Sequence, residues 1–132
     1  MRKRLLIIDD EPLFCSFARR VGDELGHCVE TVAEATAFKK RYAAFKPNIV
    51  IIDLVLPGGN GLELVIWLAE QQAACEVILV SGFSPEFLVQ AKAEGEARGL
   101  PSITTLSKPI RVSDLRSALS RDEAVPDNRT GR

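Results

Sequence analysis

Cysteine is scarce in this chain of 132 residues. Cys15, Cys28 and Cys75 are an odd number, widely spaced and without a C-x-x-C pair. A paired disulfide framework is therefore excluded, and the thiols are expected to be reduced and mostly packed as small hydrophobes. Histidine is scarcer still: His27 stands alone, so the residues for a His/Cys zinc site are lacking. Charge of one sign is not in excess either. Lys plus Arg is 17 and Asp plus Glu is 18, for a net charge of −1, which gives no general attraction to nucleic acid or anionic lipid. No apolar run approaches the roughly 20 residues needed to span a bilayer. The start MRKRLLIIDD is basic and then apolar, but its apolar stretch ends after Ile8 at two aspartates, too soon for a secretion signal. These absences point to a cytoplasmic protein with no direct contact to nucleic acid or membrane.

What is present is the composition of one globular domain, 46% hydrophobic and 27% charged. Short apolar runs alternate with helical periods and no internal repeat is visible. Arg4 to Asp9 reads as a buried strand, and Leu13, Phe14, Phe17, Val21 and Leu25 follow at helical spacing up to Gly26. Cys28 to Val32 is a weak strand. Ala35, Phe38, Tyr42 and Phe45 mark a second helix, stopped by Pro47. Asn48 to Leu54 is the strongest strand, apolar nearly throughout, as expected when both faces are covered. Pro57 to Gly61 (PGGNG) reads as a tight turn, since it lacks the spacing of a dinucleotide fingerprint. Leu64, Val65 and Leu68 lead a third helix, on which Trp67 is expected to be partly exposed. Glu76 to Val80 is a strand, Phe87 to Arg98 a helix, Ser102 to Leu106 a weaker strand, and Val112, Leu115 and Leu119 a last helix. Five β–α units with short connections imply a doubly wound five-stranded parallel sheet, with helices on both faces. The domain is expected over 1–120. Residues 121–132 are polar and aperiodic and read as a tail or the start of a linker.

In such a sheet ligands sit beyond the carboxyl ends of the strands. The first strand offers Asp9 and Asp10 there, the third Asp53 and the fourth Ser81, and the fifth is followed by Lys108 and Pro109. Three crowded carboxylates repel one another unless a cation sits among them. All-oxygen ligands with room for water suit Mg²⁺. A divalent ion, a lysine and a hydroxyl together stabilise an incoming phosphoryl group, and a carboxylate can be its acceptor. A helix N-cap would account for one aspartate of the first pair, but not for two at the end of an apolar strand.

The acidic pair in LLIIDDEP, the IIDLVLPGGNG segment around Asp53, the VSG at 80–82 and LSKPI around Lys108 occur in order, each at a strand end. Over about residues 3–120 the chain resembles the receiver domain of two-component response regulators. The resemblance implies a flavodoxin-like (β/α)5 fold with strand order 2-1-3-4-5. It implies Asp53 as phosphoacceptor, Asp10 and Asp53 as direct Mg²⁺ ligands with the backbone carbonyl of Val55, and Asp9 acting through water. Ser81 and Lys108 would each hold a phosphoryl oxygen, and Pro109 would follow a cis peptide. The donor would be a histidine kinase or phosphotransfer protein, and the response would pass to a C-terminal or separate output partner, with homodimerisation left open. The chain would be no turnover enzyme, catalysing only its own phosphorylation and dephosphorylation. The residues two after the acceptor and two after the serine, Val55 and Phe83, would tune hydrolysis. One departure stands out: the family's usual aromatic three residues before the lysine is Thr105 here. Two other functions compete. A haloacid-dehalogenase-like Mg²⁺ phosphatase would want a D-x-D motif, whereas these acids are adjacent. A scaffold without phosphotransfer would not need all five site residues.

Overall fold

Strands form where the sequence runs apolar, and their alternate side chains bury against two separate layers of helices. The computed structural model describes residues 2–57 and 59–121. In chain order the elements are β1 (Arg4–Ile8), α1 (Pro12–Glu24), β2 (Cys28–Val32), α2 (Ala35–Phe45), β3 (Ile49–Asp53), β4 (Val55–Leu56), β5 (Gly59–Asn60), α3 (Gly61–Glu70), β6 (Glu76–Ser81), α4 (Pro85–Ala97), β7 (Ile103–Ser107) and α5 (Val112–Leu119). The main sheet is parallel throughout, in the order β2-β1-β3-β6-β7. Counting only its own five strands, this is the expected 2-1-3-4-5. The short antiparallel pair β4–β5 closes the turn read at PGGNG, with Leu56 opposite Gly59. Gly58 of that turn lies outside the described residues, as does the expected tail from residue 122 onward.

The side-chain period of two divides the core. Leu6, Ile8, Val50, Ile52, Val77 and Leu79 face α2, α3 and α4 through Phe38, Leu64, Leu68 and Leu88. Leu5, Ile7, Ile49, Ile51, Ile78 and Val80 face α1 and α5 through Ala18, Val21, Leu115 and Leu119. Every residue of β3 is buried, which explains its near-unbroken apolar run. Each fully buried leucine or isoleucine contributes about 1.5–3 kcal/mol relative to exposure. Trp67 is half-buried, edge-on to Tyr42 at 5.4 Å.

Local chemistry sets the helix ends. Gly26 takes φ +82°, so that the His27 N–H can turn back to Gly22 O after α1. Lys46 closes α2 at φ +52°, directly before Pro47. Ser84 caps α4, its Oγ accepting from the Phe87 N–H. Buried His27 joins two distant segments: Nδ1 accepts from the Lys3 N–H, and Nε2 lies 2.8 Å from Leu119 O.

Two features depart from the sequence reading. Leu13, placed on the apolar stripe of α1, is 85% exposed. It lies in the first turn, which projects past the carboxyl edge of the sheet, so no core lies beneath it. The strands also end differently by a residue: β1 and β3 stop at Ile8 and Asp53, and β6 runs on to Ser81.

Candidate functional site

The carboxyl edge of the sheet is knitted together by backbone hydrogen bonds between neighbouring strand ends. The Asp9 N–H donates to Val32 O, the Leu54 N–H to Val80 O and the Lys108 N–H to Ser81 O, at 3.2, 2.9 and 2.9 Å. These bonds bring residues far apart in sequence to one edge. One carboxylate oxygen each of Asp9, Asp10 and Asp53 lies within 4.8 Å of the others. Asp9 and Asp53 are buried and Asp10 is exposed. The Lys108 ammonium reaches Asp9 Oδ2 at 2.9 Å, Glu11 Oε1 at 2.8 Å and Asp53 Oδ2 at 3.7 Å. The peptide between Lys108 and Pro109 is cis, as the resemblance implies.

Both oxygens of Asp9 are engaged, since Oδ1 accepts from the Glu11 N–H at 2.9 Å. Asp53 Oδ1 accepts from the Val55 N–H at 3.1 Å. Ser81 is buried at the end of β6, and its Oγ accepts from the Phe83 N–H at 3.1 Å, leaving the hydroxyl proton free to donate. Val55 and Phe83 line the mouth of a cavity of about 690 Å³ over Asp53, together with Asp10, Glu11, Phe14 and Lys108.

Behind Asp53 the backbone is packed without slack. A Cβ on Gly61 would stand 2.6 Å from Asp53 O and 2.9 Å from Leu54 Cα. The Gly61 N–H donates to Leu54 O at 2.8 Å. Only glycine fits at the head of α3.

Burial pushes the Asp53 carboxyl up to about 6; the Asp9 and Asp10 charges add to this, against the Val55 N–H and Lys108. Burial alone would lower the Lys108 ammonium, but hydrogen bonds to Glu11 and Asp9 and the charge of Asp53 outweigh it and hold it above its ordinary value. Burial, then the Asp9 charge, raises the Cys15 thiol, whose Sγ lies 3.3 Å from Asp9 O.

Two residues of the site escaped the sequence reading. Glu11 is the N-cap of α1, yet its side chain makes no cap hydrogen bond and is given to Lys108 instead. Its position directly after the acidic pair was the available signal. Phe14 was counted only as a helix-stripe residue, but its ring centroid lies 4.5 Å from Lys108 Nζ. Thr105 is half-buried on β7 opposite Leu79, so the aromatic missing from the sequence has no counterpart at that position.

A parallel sheet wound in this order, with an acid triad and a lysine at its carboxyl edge, defines the receiver class of signalling domain. Residues 5–120 match the family model described as response regulator receiver domain, and the chain belongs to that family, the receiver domains of two-component response regulators. It is 28% identical over 125 residues to the photosynthetic apparatus regulatory protein RegA of Rhodobacter capsulatus, covering 94% of this chain and 65% of that protein. It is 34% identical over 123 residues to the positive alginate biosynthesis regulatory protein of Pseudomonas aeruginosa, covering 89% and 46%. The chain thus spans less than two-thirds of the length of these relatives. Among solved structures, a response regulator from Colwellia psychrerythraea matches at TM-score 0.71 and 30% identity, covering 88% of this chain and 92% of that one. The fold is shared with chemotaxis protein CheY4 of Vibrio cholerae at TM-score 0.76 and 23% identity, covering 90% and 97%. Among the described residues no helix is long and apolar enough to cross a membrane.

Proposed function

We propose that this domain is a phosphorylation-controlled switch that takes a phosphoryl group onto Asp53 from the phosphohistidine of a histidine kinase or phosphotransfer protein. The observation that carries this reading is the placement of Asp53 Oδ2 3.7 Å from Lys108 Nζ, beside two further carboxylates, at the floor of an open cavity. Asp53 is taken as the acceptor because it ends the central strand β3, lines the cavity that Asp9 does not, and has its outer oxygen held only loosely by Lys108 at 3.7 Å, at the position the receiver family uses. Lys108 balances charge on the transferred group and Ser81 donates its hydroxyl proton to a phosphoryl oxygen.

The donor set fits magnesium: three hard carboxylates gathered together, no nitrogen or sulfur ligand among them, and a buried charge at Asp53 that Lys108 at 3.7 Å only partly balances. Asp10 and Asp53, with the Val55 carbonyl, would hold it directly, and Asp9, already committed to Glu11 and Lys108, would act through water. When bound, the ion supplies positive charge for the phosphoryl oxygens.

The modification is kept rather than turned over, so the domain is a switch and not a phosphatase. The adjacent acids do not offer the separate acid–base carboxylate that a phosphatase needs. The response passes to a C-terminal or separate output partner, a reading supported by the greater length of the regulatory proteins the chain matches. Incubation with a small phosphodonor and Mg²⁺, followed by intact mass measurement, tests this. One phosphoryl group per chain on the wild type and none on Asp53→Asn is expected. Equal uptake by the variant moves the acceptor elsewhere, continuous release of phosphate makes the protein an enzyme, and no uptake by either leaves a scaffold.

A further inference from the structure

We propose that Glu11 is a positioning residue that holds the Lys108 ammonium away from Asp53 and slows phosphoryl acceptance. This rests on Asp53 as acceptor. Lys108 Nζ has two partners closer than Asp53 Oδ2 at 3.7 Å, Glu11 Oε1 at 2.8 Å and Asp9 Oδ2 at 2.9 Å, and the Phe14 ring lies over it at 4.5 Å. Asp9 is wholly enclosed and so a fixed partner, whereas the Glu11 side chain is 63% exposed on the rim of the cavity. Nothing in the helix start requires a glutamate there. Its side chain performs no capping, and Asp9 already takes the Glu11 N–H.

Two effects of Glu11 run in the same direction. Its hydrogen bond must loosen before the ammonium can move onto a phosphoryl oxygen. Its negative charge also faces the same cavity that a dianionic phosphoryl group must enter, where like charges repel across a few ångströms. In the transfer, an Asp53 oxygen forms a bond to phosphorus as the phosphorus–nitrogen bond of the donor breaks. The electron pair leaves with the nitrogen, which already carries its third proton in the zwitterionic form of phosphoramidate near neutral pH and so departs as ammonia, with no proton required from the protein. Glu11 takes no part in bond making; it acts through Lys108 and through its charge.

The rate of phosphoryl uptake from phosphoramidate with Mg²⁺, read by intact mass on the whole chain, tests the assignment. Glu11→Gln should accelerate uptake by about threefold or more at low salt, the range expected for one exposed charge pair. Glu11→Asp, which keeps the charge, should stay near the wild-type rate. The gap between Glu11→Gln and wild type should narrow toward 1 M salt, where the screening length falls to about 3 Å. A purely structural role would not produce that salt dependence. A Glu11→Gln rate equal to or below wild type, equal acceleration by both variants, or a gain undiminished by salt overturns the proposal. Uptake by Asp53→Asn in parallel overturns the acceptor assignment itself, and the two failures are thereby distinguished.

Discussion

Lys108 Nζ lies nearer to Asp9 Oδ2 than to Asp53 Oδ2, at 2.9 Å against 3.7 Å. The Lys108 ammonium therefore neutralises the enclosed carboxylate first and leaves Asp53 undercompensated.

The first consequence is for stability. With Asp53 pushed up to about 6 from 3.8, the folded state holds, between those pH values, a proton the unfolded chain has already released. By linkage, this residue's contribution to stability falls as pH rises from about 4 to about 6 and stays low above that. Asp53→Asn removes the buried charge and should stabilise the protein at pH 7 by on the order of 2 kcal/mol. The gain should shrink toward pH 4. Thermal unfolding of both proteins across this range checks it, and a variant no more stable than wild type at pH 7 contradicts the buried-charge account.

The second concerns the ion. With few protein ligands and several waters, Mg²⁺ is expected to bind with a dissociation constant on the order of millimolar. At ten times that concentration, binding should stabilise the fold by about 1.4 kcal/mol. Asp10→Ala should remove most of this shift, measured by calorimetry or by NMR titration. An unchanged affinity would remove Asp10 from the ligand set.

The fold was legible where burial is two-sided. The apolar runs that became β1, β3 and β6 admit few other readings, and their ends placed Asp9, Asp10, Asp53 and Ser81 on one edge. What stayed illegible depended on where the sheet ends in space. Leu13 obeys helical spacing, yet 85% of it meets solvent because its turn overhangs the edge. Glu11 and Phe14 sit in the same overhanging turn, and their link to Lys108 spans nearly a hundred positions, which local pattern cannot register.

The third prediction is the lifetime of the phosphorylated state. Val55 and Phe83, 38% and 75% exposed, rim the cavity and carry no group able to orient a water in line with the phosphorus–oxygen bond. Decay should be slow, and Val55→Asn and Phe83→Glu should each speed it. Decay of the phosphorylated protein followed by mass gives the rates; if neither substitution, alone or combined, accelerates it, the apolar rim does not control access.

The fourth is steric. Gly61→Ala should destabilise the protein by about 1–3 kcal/mol, as expected when a methyl group is forced into a filled space. Chemical denaturation measures this. Wild-type stability in the variant would mean that the backbone behind Asp53 yields easily.

That same close approach makes Asp53 and the head of α3 parts of one rigid joint. The two backbones approach too closely for any side chain between them, and the Gly61 N–H is bonded to Leu54 O at 2.8 Å. A shift of the Asp53 backbone would meet no intervening loop there and would be passed to the ten residues of α3.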